Sequence, residues 1–373
     1  MKFKAKDLYY GFLHMLVVLT ATVLIGSICS IPTPLVFFTT GLGTLLFTLT
    51  TRGRLGISLG LSGAWVGTIL SVAPLGLGYM AGTTLLGGAI YMAVGYAIRK
   101  NPKVLKIFNP MILNMAVLFI ALSLINTSVG ILATAPWTAI VTIIGIGIAS
   151  MIKRTEALSF PIGIAVGTLF HAIAYGLTPT VYEAFVPSLV VPQFSVASIM
   201  ASIVAVFILT ESLGDSKLVA DSTGNKYEPD KVIIGNGVAT FVAGLFGGMP
   251  VTTYSESCGY VVATKNNRWQ SVLVTGLLFV IMAFIPQVST LVSYIPIEAL
   301  AGVLMYLFTM VATTKISALD FKNPKTVLLG ISGLSAFYIA PIVFPNISQI
   351  AVGMITMIVA YVVLMLIDKY KKQ

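Results

Sequence analysis

The stretch VTTYSESCGYVVATK, residues 251–265, sets Glu256 between two serines in a tract that carries no other charge before Lys265, and Pro250 stands directly ahead of it. At 1.5 Å per residue it is too short to cross a bilayer as one helix, and it is too polar to be an ordinary span. Residues 55–68, LGISLGLSGAWVGT, pose the same question, being short and rich in glycine and serine. Whether these two segments are loops or crossings decides the fold.

The rest of the chain fixes the medium. Of its 373 residues 57% are hydrophobic and 9% charged, whereas a soluble domain has roughly 45–50% apolar and about 25% charged residues. Apolar tracts long enough to span recur at about 8–30, 33–51, 78–98, 107–126, 131–152 and 157–177. A second series follows at about 194–214, 232–247, 269–288, 295–313, 325–343 and 347–367. The first tract has no small-residue cleavage site and reads as a retained span. The chain is therefore expected to be an all-α polytopic protein of the cell (inner) membrane.

Several function classes drop out. The net charge of +10 lies in short clusters between apolar tracts, not on the single basic face that nucleic acid requires. Cys29 and Cys258 fall in or beside apolar segments without metal-ligand spacing and read as packing residues. No Walker loop appears, and no soluble region could hold an ATPase. We expect a transporter and not an enzyme, with no cofactor and no metal.

The positive-inside rule tests the two short segments. The basic residues are Lys2, Lys4 and Lys6; Arg52 and Arg54; Arg99, Lys100, Lys103 and Lys106; and Lys153 and Arg154. They continue with Lys217, Lys226 and Lys231; Lys265 and Arg268; Lys315, Lys322 and Lys325; and Lys369, Lys371 and Lys372. All 22 fall on one side if each short segment counts as a crossing. That gives fourteen transmembrane segments, with both termini cytoplasmic and the short broken ones third and tenth.

Fourteen divides into seven and seven around a connection at 178–193. An odd number of crossings sends the second half in from the opposite face, the 7+7 inverted-repeat plan of many secondary transporters. Residues 1–177 form the first repeat and 194–373 the second. A short echo accompanies the plan: GLGTLLF at 41–47 resembles GNGVATF at 235–241, and the same offset of 21 residues leads to Ser62 and to Glu256. Helix packing alone also explains such glycines.

Acids buried in a membrane are costly and face a cavity or a partner. In VFILTESLGDSK, Glu211 and Asp215 lie four residues apart, on one helix face. If segments 55–68 and 251–265 pair at the protein centre, Tyr254, Ser255, Glu256 and Ser257 bring amides, hydroxyls and a carboxylate to the midplane, facing Ser62, Gly63 and Trp65. An ionised glutamate accepts hydrogen bonds from ligand N–H groups, and one withdrawn from water can carry a proton. Glu211, Asp215, Glu256 and His14 of the first span are the proton-coupling candidates.

These residues also carry a family likeness. GFLHMLVVLTATVL resembles the opening segment of the nucleobase and ascorbate transporters, the uracil and xanthine permeases. TESLGDSKLVAD resembles their eighth segment, and GLFGGMPVTTYSESCGYVVATK is similar to the signature of their tenth. The resemblance implies a core domain at about 8–106 and 194–290 and a gate domain at about 107–177 and 295–367. It also implies proton-coupled import of a nucleobase held by Glu211 and Glu256 beside Tyr254, and it allows a homodimer. Glutamate at 256 points to uracil; xanthine, guanine or another purine is the alternative, and an anion carried by the same architecture a more remote one. Four positions depart from the family pattern: Ser257 stands where asparagine is usual, Asn236 where an acid is common, Asp215 where some uracil permeases have histidine, and Gly63 where an aromatic often packs on the base.

Overall fold

The computed structural model describes residues 3–107, 110–155, 158–344 and 347–370. Lys2, Lys371 and Lys372 of the charge census lie outside them. The first half contains α1 (Ala5–Ile28), α2 (Thr33–Thr50), β1 (Leu59–Leu61), α3 (Val66–Val72), α4 (Leu77–Lys100), α5 (Pro110–Leu132), α6 (Pro136–Met151) and α7 (Ser159–Ala174). The second contains α8 (Val196–Ile203), α9 (Ala205–Thr223), α10 (Pro229–Leu245), β2 (Val251–Thr253), α11 (Ser255–Thr264), α12 (Trp269–Ala283), α13 (Pro286–Val292), α14 (Ile297–Ser317), α15 (Pro324–Val343) and α16 (Gln349–Tyr370). Among the described residues, eight helices are long and apolar enough to cross a membrane, or nine if α12 and α13, bent by 92° at their junction, are one span.

Local chemistry sets the boundaries. Proline opens α6, α10, α13 and α15, where its missing N–H is one the first turn could not have used. α9 runs to Thr223, nine residues past the expected end, because nothing breaks it before Gly224, which caps it in the left-handed conformation at φ 67°. α14 likewise continues to Ser317 and takes in Lys315, which the charge census had placed in a loop. The tract at 269–288 is not one straight span: its helix ends at Ala283 and restarts at Pro286.

Both short segments begin as strands inside the molecule. β1 pairs antiparallel with β2, Leu59 opposite Thr253, Gly60 opposite Thr252 and Leu61 opposite Val251. Every residue of both strands is buried. Around this pair α4 packs against α10, and α2 against both α12 and α10. Small residues allow the approach: a Cβ on Gly41 would stand 2.6 Å from the Gly276 carbonyl oxygen of α12. A second set joins α5 to α14, α6 to α7 and α15 to α16. Residues 176–194 have no regular structure and run across the ends of α4 and α10, where Gln193 N–H donates to Gly78 O and Val190 N–H to Leu245 O, both at 2.8 Å.

Ion pairs tie the two halves together at one end of the first set. Arg54, after α2, pairs with Glu228, before α10; Lys231 reaches the same carboxylate at 2.9 Å. Arg99 of α4 meets Asp230 at 2.9 Å, and Arg268 grips Asp7 of α1. Asn267 accepts from Gly56 N–H and donates to Arg54 O at 2.9 Å.

Burial pushes the Glu228 carboxyl up, but hydrogen bonds and charge from Lys231 and Arg54 together outweigh it and hold the group below its ordinary value. A carboxylate depressed on folding adds stability that is present above its unfolded pKa and is lost as pH falls through the folded one. Glu228→Gln should therefore lower the melting temperature of the detergent-solubilised protein by a few degrees at pH 7. The gap between wild type and variant should close as the pH is taken below the carboxylate range. A gap unchanged down to pH 3 would show that these ion pairs contribute nothing.

Candidate functional site

Backbone that leaves its helix inside a membrane must find partners within the protein. β1 and β2 satisfy each other on one edge, and side chains of the flanking helices satisfy the other. From α2, Thr44 Oγ1 accepts from Leu59 N–H at 3.0 Å. From α10, Asn236 Oδ1 accepts from Thr253 N–H at 3.0 Å, and Thr240 Oγ1 donates to Val251 O at 2.9 Å. Asn236 is fully buried, and its role explains why a neutral amide stands there: its oxygen takes the strand N–H, and its nitrogen lies 3.4 Å from Thr253 Oγ1. The two strands end at Ser62 and Tyr254, from which short helices start.

Between those starts and α14 lies a cavity of about 120 Å³. That is well above the ~10–15 Å³ one water needs and below the ~300–1,000 Å³ of sites for drug-sized ligands. Glu211, Glu256, Ser255, Tyr254, Ser62 and Gly63 line it. Glu211 and Ser255 are exposed into it and Glu256 partly so, although protein surrounds all three. Ser255 and Glu256 open α11, whose first-turn amides have no partner within the helix. Tyr254 lies across Gly60, where a Cβ would come within 3.0 Å of the ring, so only glycine admits it.

Other expected residues are placed elsewhere. Asp215 does not line the cavity; its Oδ2 accepts from Ser255 Oγ at 2.6 Å. Ser257 is buried behind α11, where its Oγ accepts from Ser58 N–H at 2.8 Å and lies 2.7 Å from His14 Nε2. His14 stacks on Tyr260 with ring centroids 4.6 Å apart. Together they fasten α11 to α1 without reaching the cavity. Trp65 turns the other way and donates from Nε1 to Tyr91 Oη at 2.9 Å. Ser257 and Trp65, expected beside the substrate, and His14, expected to take part in proton coupling, do not line this cavity.

The cavity also has walls that the polar residues did not reveal. α14 contributes Leu304, Leu307, Phe308 and Val311, α1 contributes Ala21, Leu24 and Ile25, and α5 contributes Val117 and Ile120. Phe308 covers the place opened by Gly63: a Cβ there would meet its Cζ at 3.3 Å. Apolar residues within apolar spans carry no sign of which face meets a cavity and which meets lipid. A glycine where the family often has an aromatic was the one available signal.

Comparison with known proteins now has a geometry to attach to. Residues 5–335 match the profile of the Permease family of xanthine and uracil permeases. The chain belongs to this family, the nucleobase and ascorbate transporters. The permease is 27% identical over 363 residues to the uracil permease of Bacillus subtilis (strain 168), covering 86% of this chain and 82% of the relative. It is 26% identical over 352 residues to the uracil permease of Bacillus caldolyticus, covering 85% and 81%. Among solved structures, the transmembrane domain of the cyanobacterium bicarbonate transporter BicA superposes with a TM-score of 0.71 at 13% identity, over 95% of this chain and 97% of that one. The last likeness is one of fold. The permease is thus a mostly helical, multi-pass membrane protein.

The strand anchors can be tested directly. Asn236→Ala leaves Thr253 N–H buried without its acceptor, which costs about 1–3 kcal/mol. It should lower thermal stability in detergent, as should Thr240→Val, which removes the hydroxyl that donates to Val251 O and accepts from Val251 N–H. Equal stability of wild type and Asn236→Ala would show that the amide does not hold β2.

Proposed function

We propose that the permease imports a nucleobase, uracil in preference to a purine, together with protons. The observation that carries this reading is the pair Glu211 and Glu256 opening into one small, otherwise largely apolar cavity. A planar base offers N–H donors to carboxylates and carbonyl acceptors to amides and hydroxyls, here those of Ser255 and the first turn of α11. Two carboxylates on one small cavity disfavour double ionisation, so taking up a proton with the substrate is the low-cost way to close the site.

The architecture of this reading is fourteen crossings as two inverted repeats, 1–177 and 194–373, with the third and tenth segments broken. α1 to α4 and α8 to α12 form a core domain, and α5 to α7 with α14 to α16 a gate domain. What supports this division is the packing: α4 with α10 and α2 with α12 within one set, α5 with α14 within the other. The base sits at their seam, between Tyr254 and Phe308, and alternating access follows from motion of one domain against the other. The ion-paired end is cytoplasmic by the positive-inside rule. An anion substrate is disfavoured, because both carboxylates would repel it.

Uptake into proteoliposomes, with uracil, xanthine, guanine, adenine and urate offered with and without an inward proton gradient, tests the reading. Uracil should accumulate best and only with the gradient, and Glu211→Gln and Glu256→Gln should each abolish accumulation by a protein that still folds and inserts. Wild-type uptake by both variants would remove the carboxylates from the mechanism. Equal uptake of xanthine and uracil would replace uracil with a broader base specificity.

The aromatic wall gives an independent check. Gly63→Phe should block uptake by crowding Phe308, and Gly63→Phe with Phe308→Ala should recover much of it by moving the aromatic surface to the other wall. A double variant as inactive as the single one would show that Phe308 is not what Gly63 makes room for.

A further inference from the structure

Lys315 counts as a topological charge in the sequence, but its place in the fold gives it another role. It lies within α14, one turn beyond Val311, on the face that presents Leu304, Phe308 and Val311 to the cavity. Asp215 stands in the same relation to Glu211 on α9, four residues on, about 6 Å along the helix axis. The two helices point the same way. α14 begins beside the end of α5, where Thr134 Oγ1 donates to Glu298 at 2.7 Å. It therefore ends near the start of α5, which follows α4 and its Arg99–Asp230 pair. α9 ends beside Glu228 at that same end. Lys315 and Asp215 thus sit one turn outside the cavity, on opposite walls of its mouth.

Lys315 is half-buried between exposed Thr314 and Ile316, and among the described residues it forms no ion pair closer than 4.0 Å. Its charge is nevertheless near enough to act on both Glu211 and Asp215. α14 packs mainly against α5 and α6 and also touches α1 and α7, whereas α9 packs mainly against α10, α11 and α4 and also touches α5. A link between Lys315 and Asp215 therefore crosses the seam between the two helix sets. Around it, Asp215 receives the Ser255 hydroxyl at 2.6 Å, and Ser255 neighbours Glu256 at the head of α11.

We propose that Lys315 is a positioning residue of the transport site: it is the counter-charge for Asp215, which in turn holds the Ser255 hydroxyl and with it the first turn of α11. The inference rests on the nucleobase reading for its consequence in transport, but not for the pairing itself. On this reading the coupling proton belongs to Glu211 and Glu256, which face the ligand, and Asp215 serves to hold Ser255. This revises the sequence expectation that grouped Asp215 with the proton carriers. It also gives the seam a state-dependent interaction, one that strengthens as α14 closes on α9 and weakens as α14 moves away.

Two measurements on the purified, full-length permease test it. The first needs no substrate: melting temperatures of wild type, Lys315→Met, Asp215→Asn and the double variant. Each single change should lower the value, and the double should fall no further than the worse single. Additive losses would overturn the pairing. The second is uptake kinetics for whichever base the wild type carries. Lys315→Met should raise KM about tenfold with maximal rate within about twofold, because the site is misplaced and not disabled, and Lys315→Arg should restore KM. A Lys315→Met protein with wild-type KM, or one that arginine does not rescue, would overturn the positioning role. If wild type transports no base at all, the nucleobase reading falls, while the melting cycle still decides whether Lys315 and Asp215 are a pair.

Discussion

Every backbone N–H and C=O that leaves a helix at membrane depth must be answered from within the protein, and this requirement organises the permease. β1 and β2 are each three residues long, too short to form a sheet on their own. They persist because each completes the other and because Thr44, Asn236 and Thr240 answer their remaining groups. α2 and α10 carry those anchors and pack against each other, so the strand pair and the helix set around it stabilise one another. Two helix starts then meet at the centre, and the cavity lies where they meet.

The chemistry of the cavity follows from that placement. α11 is only ten residues long, so its first turn falls inside the molecule and not at a membrane surface. Ser255 and Glu256 are thereby held at depth by backbone geometry, whereas Glu211 reaches the same space from a long helix. α9 can carry two acids there because each has a polar environment to face: Glu211 lines the cavity, and Asp215, one turn on, has Ser255. His14, Ser257, Ser58 and Tyr260 form a second layer that fixes α11 to α1.

Much of this was legible in the sequence, and the reasons are specific. The short segments stood out because they were too polar and too brief for spans, and the distribution of the basic residues was a reason to count both of them as crossings. Glu211 and Glu256 were legible because an acid in an apolar tract has few roles. What could not be read was direction. Trp65 and Ser257 each directly follow a cavity-lining position, Ala64 and Glu256, but at the start of a short helix one step turns the side chain by about 100°, and periodicity over so few residues cannot resolve it. His14 lies on α1 about two turns before its first lining residue, Ala21, in a helix apolar on all sides. Phe308 was hidden for the opposite reason, since an aromatic among apolar residues looks like any lipid-facing or packing side chain. Lys315 was hidden by its usefulness to the topology count: a lysine near a helix end satisfies the positive-inside rule whether it faces water or the mouth of a cavity.

The distribution of charge then separates what is rigid from what can move. At the ion-paired end, Asp7, Glu228 and Asp230 each have an arginine, and those pairs join segments of the same helix set. Such contacts, with the close approach of α2 to α12 at Gly41, keep that set together as one body. Inside the cavity the balance is different: Glu211 and Glu256 face open space, with hydroxyls and amides near them. A site left short of positive charge is neutralised by what it binds, and the cation whose field reaches Glu211 and Asp215, Lys315, comes from the other helix set. In the transport cycle proposed above, the seam between α9 and α14 is therefore where binding and motion meet: a ligand and a proton complete the charge balance inside the cavity, and motion of α14 against α9 changes the distance between Lys315 and Asp215.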